Sequence, residues 1–177
     1  MIADTRLTQE VKKLKVDSLY GKKIHFNAAI RNHRWHCRLG VTVLVVSTIV
    51  GSSLFALLGR TIPEPAKWCG AGLSLIAALA AGIQTFFHFE KQAHAHNAIG
   101  LRYLSLAKRC SRLLAAYGDE TVTGIELRNE LEKIAREYDA VTGDAAALSV
   151  SRKDYLKARK GFQEGEESYT ERELEGF

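Results

Sequence analysis

Two stretches of the chain carry no charged side chain: Leu39 to Gly59, 21 residues, and Trp68 to Phe87, 20 residues. As a helix rising 1.5 Å per residue, each can cross the roughly 30 Å hydrocarbon core of a bilayer. Leu44, Val45, Val46, Ile49, Val50, Leu54, Phe55, Leu57 and Leu58 surround the first helix, whereas a helix of a soluble bundle keeps a polar face. The connecting Arg60-Thr-Ile-Pro-Glu-Pro-Ala-Lys67 holds both prolines of the chain, which cannot continue a helix. The pattern predicts one transmembrane hairpin, with spans at 39–59 and 68–89 and an external turn at 60–67.

Periodicity extends beyond the hairpin on both sides. Leu7, Val11, Leu14 and Ser18 recur at helical spacing and continue through Ile24, Ala28 and Arg31. This predicts an amphipathic juxtamembrane helix over 1–38, with a kink at Gly21. After the second span no Pro or Gly-rich punctuation occurs before Tyr117-Gly118-Asp119, so that helix is expected to run on through Leu101, Leu104, Leu106 and Leu113. Thr123-Gly-Ile-Glu126 is a capping box, and Leu127, Leu131, Ile134, Tyr138 and Val141 keep the 3-4 spacing of a further helix. Ser151 to Gln163 reads as a short basic helix, completing a helical region over 90–163; the Glu-rich tail 164–177 is expected to be disordered. The fold class is an all-α membrane protein: a two-helix transmembrane hairpin with long cytoplasmic helical extensions.

Charge sets the expected orientation. Nine Lys and Arg lie in 1–38 and five in 90–112, against Arg60 and Lys67 in the connecting loop, which places both termini in the cytoplasm. No cleavable signal peptide is expected, because the first apolar run begins only at residue 39. Residues 1–112 carry a net charge of +11 and residues 113–177 one of −6. Topology and anionic headgroups account for the basic half; a site for a phosphate-bearing ligand draws on the same electrostatics. Cys37, Cys69 and Cys110 are too few and too separated for a disulfide framework, so reduced, non-catalytic thiols are expected.

Within the spans the informative residues are small or polar. Gly70, Ser74, Ala78 and Gly82 fall four apart on one face, and Ser47/Gly51 and Thr48/Ser52 repeat the pattern in the first span. In lipid, small side chains bring helices together by allowing close backbone approach. One hairpin does not need this much packing surface, so a homo-oligomer is expected. Gln84, the strongly polar side chain deep in the spans, needs a helix interface or an aqueous path; Thr42, Ser47, Thr48, Ser52 and Ser53 are further candidate pore lining. All six histidines cluster at or near the membrane boundary. His33 and His36 are spaced as a metal pair but lack further ligands, so no metal site and no cofactor is assigned. No glycine-rich phosphate loop, nucleophile elbow or carboxylate pair occurs, and catalysis is not expected.

The run Lys23-Ile-His-Phe-Asn-Ala-Ala-Ile-Arg31 through Trp35-His36 to Leu39-Gly40 resembles the entry to the first span in SLATT-domain proteins. Gln84-Thr-Phe-Phe87, Glu90, His96-Asn-Ala98 and Arg102-Tyr103-Leu104 through Arg109 resemble the exit from the second. The likeness covers about residues 15–140. It implies a two-span effector of a bacterial conflict system that oligomerises and permeabilises the inner membrane in abortive infection by phage. It also implies a partner nucleotidyltransferase or nucleotide sensor. On that footing Lys22, Lys23, Arg102, Lys108, Arg109 and Arg112 are candidate contacts for a nucleotide or single-stranded oligonucleotide, and a tetramer is expected by analogy with other two-span channels. A non-conducting membrane adaptor that recruits a soluble enzyme or sensor is the alternative.

Overall fold

A computed structural model of the chain describes residues 2–56 and 63–166. Five helices follow in order: α1 Ile2–Ala56, α2 Glu64–Phe87, α3 Phe89–Gly118, α4 Gly124–Ala146 and α5 Arg152–Gln163. Residues 57–62, which hold the end of the first expected span and the first three residues of the turn, and residues 167–177 of the expected tail lie outside the described residues. The chain divides into two units: residues 1–29 with 94–177, and residues 30–93.

The first unit is a helical bundle built from heptad stripes. On α1, positions 7, 11, 14, 18, 21, 25 and 28 alternate steps of four and three. On α3 the stripe is Ile99, Tyr103, Leu106, Cys110 and Leu113, and on α4 it is Leu127, Leu131, Ile134, Tyr138, Val141 and Ala145. This spacing lets helices pack side by side at shallow angles, and most of these side chains form one core. The spacing expected of α1 and α4 is present. That of α3 is shifted: Leu106 and Leu113 are buried, but Leu101 is exposed, because the buried stripe enters through Ile99 and Tyr103.

Gly21 does not break α1, which is one uninterrupted helix through it. Its role is close approach: a Cβ there would lie 2.9 Å from the Tyr103 ring. Gly100 is under the same constraint, with Phe26 2.5 Å from the position of a Cβ. Helix α4 starts at the expected capping box: the Thr123 hydroxyl accepts from the Glu126 backbone N–H at 3.3 Å, and the Glu126 carboxylate accepts from the Thr123 N–H at 2.8 Å. Ser151 and Asp154 repeat the device at the start of α5.

The second unit contains the hairpin. Its seam is narrow: Val43, Val46 and Val50 of α1 and Leu73, Ala77, Ala80 and Gln84 of α2 are shielded to differing degrees. Around it Val41, Leu44, Val45, Ile49, Leu75, Ile76, Leu79 and Ile83 are exposed. None of the most apolar window of α1 and only 6% of that of α2 is buried within the chain. A soluble core helix would hide such a surface. These two helices are long and apolar enough to cross a membrane, and the chain is an all-helical membrane protein. Trp68 at one end of α2 and Phe86 and Phe87 at the other are exposed, the placement of interfacial aromatics.

The expectation that the second span continues unbroken is corrected. At His88 the backbone turns left-handed (φ 48°, ψ 43°), ending α2 at Phe87. Two side chains take carbonyls left open by the break: the His88 Nδ1–H donates to the Phe86 carbonyl at 2.9 Å and the Gln92 amide donates to the Phe87 carbonyl at 3.0 Å.

Candidate functional site

Polar groups in the hairpin must be satisfied without bulk water. The hydroxyls of Thr42, Thr48, Ser52, Ser53, Ser74 and Thr85 each donate to a carbonyl three or four residues back in their own helix, at 2.7–3.1 Å. Ser47 differs: it is exposed and has no hydrogen-bond partner among the described residues. Gln84 is partnered inside the hairpin, its amide Nε2 donating to His36 Nδ1 at 3.1 Å, and a Cβ on Gly40 would stand 3.6 Å from that amide. His36 Nε2 lies 3.8 Å from Glu90, a contact that becomes an ion pair only on protonation.

The small-residue stripes are open. A Cβ at Gly51, Gly70 or Gly82 would meet nothing within 4 Å, and Ser74 and Ala78 are exposed. The hairpin therefore packs without using Ala78 and Gly82, while Gly70, half-buried, and Ser74 border α1. At the turn end the two helices diverge into a cleft of about 510 Å³ that includes Ile49, Ser53, Cys69 and Ser74.

The six cations selected from the sequence do not form one cluster. Arg109 bridges to Glu130 at 2.9 Å and to Glu137 at 2.5 Å, and these bonds raise its pKa while holding Glu130 below the usual carboxylate range. Arg102 pairs with Asp144. Lys23 pairs with Glu166 at 2.6 Å and lies 5.0 Å over the Phe162 ring. Lys22 is half-buried, while Lys108 and Arg112 are exposed. Three of the six thus tie helices together.

What the bundle does assemble is aromatic. Tyr20, Tyr103, Tyr138 and Tyr155 line a cleft of about 660 Å³ in the first unit, with His25 also lining it and Asp17 and Arg159 exposed. Enclosed small-molecule sites fall at roughly 300–1,000 Å³. Helix α5 supplies one wall, docked on α1 by Tyr20 stacked on Phe162 at 4.1 Å and by Asn27 donating to the Asp154 carbonyl at 3.2 Å. Tyr103 packs edge-on against Tyr138 and donates or accepts with Thr142 at 3.1 Å. His25 and His96, both buried, share a hydrogen bond between their Nδ1 atoms at 3.0 Å. Burial, reinforced by electrostatic repulsion from the neighbouring His96, pushes His25 down to about 4.

A family model described as SMODS and SLOG-associating 2TM effector domain family 4 matches residues 7–173, nearly the whole chain and both units. The chain belongs to the SLATT family. No curated protein and no solved structure matches it. The two-span description of SLATT agrees with the two membrane-length helices, and the match extends through α3, α4 and α5, so the bundle is part of the SLATT domain. SLATT membership makes this an effector domain of the kind associated with SMODS and SLOG systems.

Sequence reasoning missed the tyrosine-lined cleft and the His25–His96 pair. Their members come from four helices and are separated by up to 142 positions, so no local spacing brings them together. A partial signal existed: Gly21, His25 and Ala28 extend the heptad stripe of α1, which marks His25 as inward-facing.

Proposed function

We propose that this SLATT protein is a pore-forming effector of a bacterial antiphage abortive-infection system. It resides in the inner membrane with both termini in the cytoplasm, assembles as a homo-oligomer with a tetramer the leading arrangement, and conducts ions when a nucleotide or oligonucleotide signal from a partner nucleotidyltransferase or sensor changes. In this reading the chain has no catalytic role and needs no metal or cofactor.

The observation that carries the reading is the open small-residue face of α2 at Ala78 and Gly82, which the hairpin leaves uncovered. In hydrocarbon such a face gains by packing against a second helix, because close backbone approach is what small residues permit. Ser47 adds to it: its hydroxyl, without a partner among the described residues, is satisfied by water in a pore or by a neighbouring copy. Gly82→Leu and Ala78→Leu fill the face without touching the hairpin seam. Mass measurement of the protein in native-lipid nanodiscs is expected to give an oligomer for the wild type and smaller species for both variants. A wild-type monomer would refute the reading.

A second reading, the non-conducting membrane adaptor, is favoured by one fact: Gln84 and six of the seven hydroxyls named in the spans as candidate lining or back-bonded groups, Thr42, Thr48, Ser52, Ser53, Ser74 and Thr85, are satisfied within the hairpin. An adaptor would recruit its partner through the helical bundle and carry no current.

A further inference from the structure

The tyrosine-lined cleft combines features that the dispersed cations lack. Its walls are aromatic: Phe162 takes one face of Tyr20 and Tyr138 is half-buried, while Tyr155 is about half exposed and offers its ring to a ligand. Its charged groups are unspent: neither Arg159 nor Asp17 has an ion-pair partner among the described residues, whereas Lys23, Arg102 and Arg109 are all paired. Helix α5 carries Arg152, Lys153, Lys157, Arg159 and Lys160 against Asp154 alone, a positive field at the cleft that favours an anion.

Each feature selects part of one ligand. Tyrosine faces stack on planar heteroaromatic rings. A free guanidinium takes a phosphate through paired N–H donors. A lone carboxylate accepts from sugar hydroxyls or a ring amine. We propose that this cleft binds a nucleotide, with the base against the tyrosines, a phosphate on Arg159 and a hydroxyl or amine on Asp17. The proposal rests on reading the chain as a nucleotide-responsive effector and moves the sensor from six scattered cations to one cleft. The cleft draws Tyr20, Gly21 and His25 from α1, the same helix that supplies the first span. A ligand held there shifts a gate only by binding one state more tightly than the other.

The test uses the full-length protein in lipid nanodiscs and equilibrium dialysis against ATP, GTP, AMP, GMP, 3′,5′-cyclic AMP, adenosine and inorganic phosphate. At least one nucleotide is expected to bind saturably, and adenosine and phosphate each more weakly. Arg159→Ala and Tyr155→Ala alter exposed side chains, and each is expected to weaken binding by roughly tenfold or more, with helical circular dichroism unchanged. Arg128→Ala, outside the cleft, is expected to leave it unchanged. Absence of saturable binding by every probe, or equal affinity in wild type, Arg159→Ala and Tyr155→Ala, overturns the proposal. Flux measured in parallel from liposomes separates the two ideas: conduction without nucleotide binding removes the cleft and spares the pore, and Arg159-dependent binding without conduction supports the cleft and removes the pore.

Discussion

Acid is expected to loosen the helical bundle through His25. The imidazole is buried beside His96 and Tyr103, and its pKa falls from 6.5 to about 4, chiefly through burial and then through electrostatic repulsion from His96. Because the folded state holds the proton less tightly than the unfolded state, protonation favours unfolding. The stability is full above pH 6.5 and is lost as the pH falls from there towards 4. A difference of this size corresponds to about 3 kcal/mol across the window, of which about 2 kcal/mol is gone at pH 5. For a bundle of this size that is a drop of roughly 5–10 °C in Tm. The assay is thermal unfolding of the full-length protein in detergent, followed by helical circular dichroism at pH 7.5 and pH 5. His25→Gln removes the titrating group, so its Tm should fall less between the two pH values than that of the wild type. Equal falls in both proteins would refute the reasoning, whatever the variant costs at neutral pH.

Other consequences follow from packing and caps. Gly100→Ala drives a Cβ into the Phe26 ring and is expected to destabilise the bundle by about 1–3 kcal/mol, with Phe26→Leu in the same chain recovering part of the loss; unfolding midpoints read both. Thr123→Ala removes the acceptor that caps α4 and should cost about 1 kcal/mol, while Thr123→Ser should cost less. His88→Gly relieves a left-handed conformation that disfavours other side chains but deletes the donor to the Phe86 carbonyl; His88→Ala deletes the same donor and keeps the conformation, so thermal unfolding should rank His88→Ala below His88→Gly.

The hairpin was legible because a membrane imposes a length and forbids charge, and both conditions are local in sequence. The heptads of α1 and α4 and the Thr123 cap were legible for the same reason, since each is set by residues within a turn or two. The break at His88 was not: no Gly or Pro marks it, and it is held by carbonyl contacts from His88 and Gln92 that only the folded backbone presents. The candidate ligand residues show the same limit. Arg109 and Arg102 look like free cations along the chain, but their acidic partners arrive on α4, 21 to 42 positions later. The unpaired charges and stacked rings of the cleft come from helices distant in sequence, so counting Lys and Arg directed attention to six cations of which the bundle pairs Lys23, Arg102 and Arg109.

Ion flux from liposomes reconstituted with the purified protein tests the central claim most directly, with wild type compared with Gly82→Leu and with nucleotides added or withheld. The account predicts flux from the wild type that changes when a nucleotide is added and is lost when the small-residue face is filled. Inserted wild-type oligomers that carry no current under any of these conditions would contradict it and leave the membrane adaptor in its place.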